Sequence, residues 1–321
     1  MIPNLRIAYA GTPEFAVPAL KALEASQHEV VAVLTQPDRK SGRGRKISKS
    51  AVKQAITSSN VLLMQPDDVN DDETLEALFQ LNLDVIVVAA YGQIFSQRLL
   101  NLPRLGCINI HASLLPRWRG ASPIQHAILS GDKESGVTIM QMTRAMDAGD
   151  IWQQSKCLID ECDSSESLHD KLAQLGGVTI TEALAKIVSG QETPLAQDQS
   201  RVTYCTKLNK KDGLIDWLEP ADVIIRKIRA FYPWPGSYTF YAGRRLRITQ
   251  AQVSKEVIED SNLPPGIVCG ISTQGFTVLT GDGSGILITE LVPEGGKKVS
   301  AVDFSHSNIL DGRRLGGDTD G

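Results

Sequence analysis

The chain predicts an α/β architecture: a doubly wound, mostly parallel sheet followed by a smaller antiparallel β-barrel. Three observations carry that expectation. Up to about Gly131, short runs rich in Val, Ile and Ala alternate with helical patterns, the rhythm of strands joined by crossover helices. Past Gly131, two strand-like runs follow one another too closely for a crossover, so they are expected to pair antiparallel. Beyond a polar break, five short strands separated by glycine turns appear at the spacing of a small barrel.

The elements follow in order. LRIAYAG, from Leu5 to Gly11, reads as a buried strand, and PEFAVPALKALEAS as a helix opened by the Gly-Thr-Pro turn. EVVAVLT is a second strand; LDVIVVAAYG and GCINIHAS are two more, with helical patterns at Lys49–Ser59, Asp71–Leu81 and Ser122–Ser130. GVTIMQM and DIWQQSKCLI are the two antiparallel strands, and Ser164–Val188 is a helix with Leu168, Leu172, Leu175 and Leu184 at helical spacing. Ser189–Ser200 is polar, carries Gly and Pro and has no periodicity, as a linker does. A helix over Pro220–Phe231 then precedes the strands GSYTFY, RRLRITQAQV, PGIVCGI, GFTVLT and GILITEL, and the terminal GGDTDG is expected to be disordered. The domains expected are therefore 1–188 and 207–321, with 189–206 as the connection.

Composition excludes several classes. With 42% hydrophobic and 22% charged residues, the chain is that of a globular protein large enough for two cores. MIPNLRIAYAG has neither a basic start nor a long apolar stretch, and no apolar run approaches the ~20 residues a membrane helix needs, so a cytoplasmic protein without membrane attachment is expected. Five Cys without a CxxC pair or clustered His argue against a disulfide framework or a zinc site, and no metal is expected. The net charge is −4, yet Gln36–Ser50 carries a net +5 and Arg201–Gln250 a net +6. Two basic islands in an acidic chain suit a locally docked polyanion.

The chemistry concentrates in CINIHASLLPRWRGASPI. Asn109 and His111 share one face of a strand, because the strand period is two, and they lie at its carboxyl end, where a parallel sheet opens its crevice. Asp147 lies in the turn AMDAGD, whose glycine allows a close backbone approach to a ligand. An amide donor, an imidazole and a carboxylate together suit a reaction that builds negative charge on a carbonyl-like oxygen and moves one proton. A strand His is commonly a core residue and an Asp before Gly commonly a turn, so these three alone do not decide the matter. Other schemes have less support: there is no GxSxG elbow, no HExxH, no Walker A, and AGTPEF lacks the later glycines of a dinucleotide fingerprint.

INIHASLLPRWRGASPIQHAI resembles the signature loop of the 10-formyltetrahydrofolate-dependent formyltransferases, and AGTPEFAVPAL, TQPDRKSGRGRK, VVAAYGQIF, SGVTIMQMTRAMDAGDI, IDW and AFYPWPGSYT extend the likeness over most of the chain. The resemblance implies a Rossmann-like formyltransferase domain with an OB-like second domain. It implies Asn109, His111 and Asp147 as the catalytic group, with the division of proton transfer between His111 and Asp147 left open. It implies Ser113, Leu114, Leu115 and Pro116 as the folate-binding tetrapeptide, Tyr91–Phe95 as the strand end flanking the pterin, and Arg43 in a basic loop that meets a tRNA acceptor end. The Arg-rich loop and the Phe-x-Pro-Trp-Pro stretch are similar to the tRNA-acting branch. The implied reaction formylates initiator methionyl-tRNA for translation initiation and releases tetrahydrofolate, without a metal; a monomer is the expectation. Another amine acceptor, or a non-catalytic RNA-binding protein, are the alternatives. Many relatives read Leu-Asp-Thr-Gly-Asp where this chain has Met146-Asp147-Ala148-Gly149-Asp150, which removes a hydroxyl from the turn.

Overall fold

The structure, a computed structural model, describes residues 4–41, 46–190, 192–255 and 263–316. Arg43, Gly42 and Gly44 of the basic loop, and the terminal residues from 317 on, lie outside them. The chain divides into two compact units.

The first unit is built from Met1–Pro123, Glu134–Leu158 and His169–Thr206. Strands β1 (Arg6–Gly11) and β2 (Glu29–Leu34) are joined by helix α1 (Val17–Glu24), which turns Ala19, Leu20 and Leu23 inward. A short hairpin, β3 (Arg39–Ser41) and β4 (Lys46–Ser48), interrupts the chain before α2 (Ala51–Ala55) and β5 (Leu62–Met64). Ser50 caps α2 by accepting from the Lys53 amide, and Asp71 caps α3 (Asp72–Phe79) by accepting from that of Thr74. Strand β6 (Val85–Ala89) is buried at every position, as a central parallel strand must be. Helix α4 (Gln97–Leu100) then leads into β7 (Cys107–His111).

The sheet order, with strands numbered along the chain, is β5-β2-β1-β6-β7 and then β9 (Glu134–Gln141) and β10 (Ile151–Leu158). The first five strands are parallel, while β9 is antiparallel to both β7 and β10, as the short connection requires. From β1 the chain winds outward through β2 to β5 and then returns to the other side of β1 as β6. The crevice created by that reversal opens at the carboxyl ends of β1 and β6, where the Thr12 hydroxyl donates to the Tyr91 carbonyl (2.9 Å).

The segment read as a linker is built into this unit. Leu195 bridges Ile151 in backbone pairing, and β11 (Tyr204–Cys205) pairs in parallel with β8 (Arg119–Gly120). Its polar, aperiodic composition reflects side chains that bond to loops rather than to a helix or sheet face.

The second unit gathers Ile124–Lys133, Ile159–Leu168 and Lys207–Gly321. Helix α5 (Pro123–Leu129) falls almost wholly within it, and α6 (Ser165–Ser189) begins in it. Its antiparallel sheet runs β12 (Ser237–Tyr241), β13 (Arg244–Val253), β16 (Gly285–Pro293), β15 (Gly275–Leu279), β14 (Val268–Ser272), with β17 (Val299–Ser300) beside β16. Helix α7 (Ala221–Ala230) packs on β13 through Ile224 and Ile228, and α8 (Ala301–His306) covers β15 and β16. Trp217 is buried and its indole donates to the Thr239 hydroxyl (3.0 Å).

The chain end, to which the sequence assigned no role, closes this sheet. Val268 N–H donates to Arg313 O (2.9 Å) and Leu315 N–H to Gly266 O (2.7 Å), while Gly316 N–H donates to Phe240 O on β12 (3.0 Å). Residues 313–316 thus bridge the two outer strands, and Leu315 is 1% exposed. Edge strands left open would present unpaired backbone groups; here the tail pairs with some of them, at Val268 and Phe240.

Candidate active site

Strand β7 positions the first two residues. Asn109 lies between Val88 of β6 and Met140 of β9, and His111 pairs with Thr138. Asn109 is half-buried, and its side chain makes no hydrogen bond among the described residues. His111 is buried, 7% exposed, with Nε2 at 2.9 Å from the Trp118 carbonyl oxygen and Nδ1 at 3.7 Å from Asp147 Oδ1. A carbonyl only accepts, so Nε2 carries a proton and Nδ1 is the nitrogen left to exchange one. The other carboxylate oxygen of Asp147 accepts from the Gly120 amide (2.8 Å).

Asp147 has φ of 50°, a left-handed conformation that is unfavourable for a residue with a Cβ. The loop tolerates it because its ends are fixed. Gly149 lies so close to β9 that a Cβ there would collide with the Gln141 carbonyl. Gly149, two residues after Asp147, therefore serves packing of the loop on its own strand.

The stretch Ser113–Gly120 is held from three sides. Thr138 donates its hydroxyl to Ser113 O (2.6 Å) and accepts from the Leu115 amide (3.1 Å), while Gln154 donates to Leu115 O (2.9 Å) and to the Thr138 hydroxyl (2.8 Å). Ser113 donates to Arg117 O (2.6 Å). Ser113 and Leu115 are buried, whereas Leu114 and Pro116 are half-buried. Arg117 and Arg119 take opposite courses: Arg117 stacks over the Trp118 ring at 4.2 Å, and Arg119 turns inward, 3% exposed.

The former linker supplies the third side. Trp118 N–H donates to the Thr203 hydroxyl (2.9 Å) and Arg119 N–H to Thr203 O (2.9 Å). The Cys205 thiol lies 3.4 Å from both Trp118 O and Arg119 O, and burial, with the Asp147 charge nearby, raises its pKa. Thr138, Gln154, Thr203 and Cys205 carry no signal of these contacts in the sequence. Cys205 reads as a small hydrophobe, and the others sit in runs whose pattern does not reveal an inward polar bond.

At the sheet reversal, Tyr91 is buried, its hydroxyl has no partner among the described residues, and burial pushes it up to about 12. Gly92 beyond it is exposed with φ of 93°, and Ile94 is 82% exposed. A separate cleft of about 600 Å³, lined by Gln97, Asn101, Arg104, Gln141 and Arg144 among others, lies at the amino end of β7 and contains none of the expected site residues. Among the described residues no group of three or more His, Cys, Asp or Glu could hold a metal, and no helix is long and apolar enough to cross a membrane.

Residues 5–184 match the family model "Formyl transferase", and residues 207–308 match "Formyl transferase, C-terminal domain". The chain belongs to the formyl transferase family. This formyl transferase is 45% identical to the methionyl-tRNA formyltransferase of Hydrogenovibrio crunogenus over 98% of its own length and 100% of the relative's. Among solved structures it is similar to the N-formyltransferase of Helicobacter canadensis in complex with folinic acid and dTDP-3-aminofucose, with a TM-score of 0.67, 18% identity and coverage of 88% of this chain and 98% of that one. It is also similar to HypX from Aquifex aeolicus in complex with tetrahydrofolic acid, with a TM-score of 0.64 and 19% identity; it covers 47% of that chain, so this formyl transferase spans about half the length of HypX. At such identities the two structures establish the fold.

Proposed function

We propose that this formyl transferase moves a formyl group from 10-formyltetrahydrofolate to the α-amine of initiator methionyl-tRNA, giving N-formylmethionyl-tRNA and tetrahydrofolate. The observation that carries the chemistry is the grouping of Asn109, His111 and Asp147, with the Asn109 amide free to donate. The acceptor follows from full-length relatives named methionyl-tRNA formyltransferase.

The residues at the crevice suit a folate. Exposed Ile94 and the open backbone at Gly92 offer an apolar surface beside a hydrogen-bonding edge to a flat ring. In the tetrapeptide Ser113–Pro116, Ser113 and Leu115 shape the loop, while Leu114 and Pro116 keep some surface for the ligand. When bound, the folate supplies the formyl carbon that the amine attacks.

The chain's own groups do the rest. Asn109 aims an amide donor at the oxygen where negative charge develops, a role worth ~3–4 kcal/mol when the donor is fixed in place. His111 is held by its Nε2 proton on Trp118 O, so any proton it gains or gives moves at Nδ1. Asp147 faces that nitrogen with Oδ1, across a gap longer than a hydrogen bond. It acts on the incoming proton through charge while the Gly120 amide holds its other oxygen.

The second unit and the basic loop are assigned to the tRNA, with Arg43 at the acceptor end. Two cations of the second island are already paired, Arg226 with Asp222 and Lys227 with Glu219. Arg245 instead stacks over the Tyr238 ring at 3.9 Å, a pairing of charge and ring suited to RNA. The test is a formyl-transfer assay with purified protein, 10-formyltetrahydrofolate and charged initiator tRNA, with an amino-sugar nucleotide as the competing acceptor. Formylmethionyl-tRNA is the expected product; a formylated sugar in its place would overturn the acceptor assignment.

A further inference from the structure

We propose that Gln197 is a positioning residue for Asp147, and that Arg119 orients Gln197 for the task; this rests on the reading of Asp147 as a catalytic group. The Gln197 amide nitrogen donates to the carbonyls of Asp147 (2.9 Å) and Gly149 (2.7 Å). Its Oε1 accepts from Arg119 Nε (3.0 Å) and Nη2 (2.7 Å). A glutamine amide has two N–H donors and two acceptor lone pairs, so all four positions are used. Gln197 is 6% exposed and Arg119 3%. Bonds to buried groups are costly to leave unmade, and a charged donor makes the strong ones.

The two carbonyls belong to the turn that carries the carboxylate. Residues 143–146 before it are exposed, so they supply little packing to hold Asp147 at its positive φ. Gln197 grips the turn on both sides of Ala148, and the Gly120 amide fixes Oδ2, which leaves Oδ1 directed at His111 Nδ1. Arg119 removes the alternative in which the side-chain amide of Gln197 is flipped, because a guanidinium can only donate. With the amide reversed, its N–H groups would face the guanidinium and its oxygen the two carbonyls. The orientation is therefore unique, and Asp147 is held by a residue 50 positions away in sequence.

The test uses the full-length chain in steady-state formyl transfer to methionyl-tRNA. Gln197→Met keeps length and loses all four bonds; Gln197→Glu keeps the acceptor for Arg119, loses both donors and turns a carboxylate oxygen toward the two carbonyls. Each is expected to lower kcat by ~10–100-fold, with KM for either substrate within about twofold, as displacement of a reacting group by a fraction of an ångström to 1 Å does. In an Asp147→Asn background, Gln197→Met is expected to change kcat by less than about twofold, because its effect passes through a carboxylate no longer there. A folded Gln197→Met enzyme with kcat within about twofold of the parent would overturn the proposal. So would a full, multiplicative loss in the Asp147→Asn background, which marks a general strut. If Gln197→Met does not fold, Gln197→Glu carries the same comparisons, since it retains the buried bond to Arg119. Normal turnover in Asp147→Asn alone would instead remove the catalytic reading of Asp147, a failure distinct from that of the Gln197 contact.

Discussion

His111 Nε2 lies 2.9 Å from the carbonyl oxygen of Trp118, and this contact decides which nitrogen of the ring would serve in the proposed transfer. The exchangeable position is Nδ1, on the side of Asp147. Asp147→Asn makes the sharpest change. The Gly120 amide must keep an oxygen, so the new amide nitrogen faces Nδ1 across the same 3.7 Å gap, and the negative charge that draws a proton to that nitrogen is lost. The expected loss in kcat is ~10²-fold or more, with folate affinity retained. Asn109→Ala is expected to cost ~10²–10³-fold in kcat, the value of one oxyanion donor. Rates and folate titration on the two variants check this; near-normal turnover in either would remove that residue from the mechanism.

Arg43 belongs to a loop of net charge +5 in a chain of net charge −4. Arg43→Ala is expected to raise KM for methionyl-tRNA and to flatten the dependence of log affinity on log salt by about one unit, the share of one phosphate contact. Folate affinity is the control, since the tetrapeptide Ser113–Pro116, proposed above to bind folate, belongs to another loop. Kinetics across a salt series decide the matter: no change in KM or slope would leave Arg43 without a role in tRNA binding.

At the foot of that loop, Lys53 donates to Asp38 (2.8 Å) and to Gln65 (2.6 Å), and Gln65 donates to the other Asp38 oxygen (2.9 Å). The Lys53 and Gln65 hydrogen bonds hold the Asp38 carboxyl below the usual carboxylate range. A lowered carboxyl stabilises the fold above its unfolded-state value, about 3.9, and that contribution disappears as pH falls through the lowered native value. Asp38→Asn should therefore be less stable than the parent at neutral pH, with the difference shrinking in acid. Denaturant melts at neutral pH and below about pH 3 measure it; a difference that does not change with pH would refute the assignment.

Leu315, in the closing tail of the second unit, is 1% exposed. Leu315→Ala is expected to destabilise that unit by ~2–4 kcal/mol, the usual cost of a buried Leu. Thermal or denaturant unfolding followed at Trp217, which lies in the same core, reads it directly. A loss under about 0.5 kcal/mol would mean that the tail contributes nothing to closure.

Much of the architecture was legible because it is written in local periods. The unbroken apolar run at Val85–Ala89 marks a strand buried on both faces, and Asn109 and His111 stand out because they break the apolar pattern of β7 at a spacing of two. What was hidden depends on pairing across distance. Gln197 lies in a stretch with no period at all, and its value comes from four bonds to Arg119, Asp147 and Gly149. Nor does RWRG reveal that Arg117 stacks outward while Arg119 turns in. Arg313–Leu315 carried no reading, and Gly316 was grouped with the expected disordered end, because backbone bonds to Gly266, Val268 and Phe240 leave no trace in side-chain pattern.

The contacts of Cys205 with Trp118 and Arg119 span 87 and 86 residues of chain, which has a consequence for synthesis. A ribosome adds ~5–20 residues per second, so the loop after β7 leaves the tunnel roughly 4–17 seconds before the strand that braces it. For that interval the nascent chain holds Asn109 and His111 without their supporting segment. The proposed active site can reach its final form only once translation has passed well beyond the sheet itself.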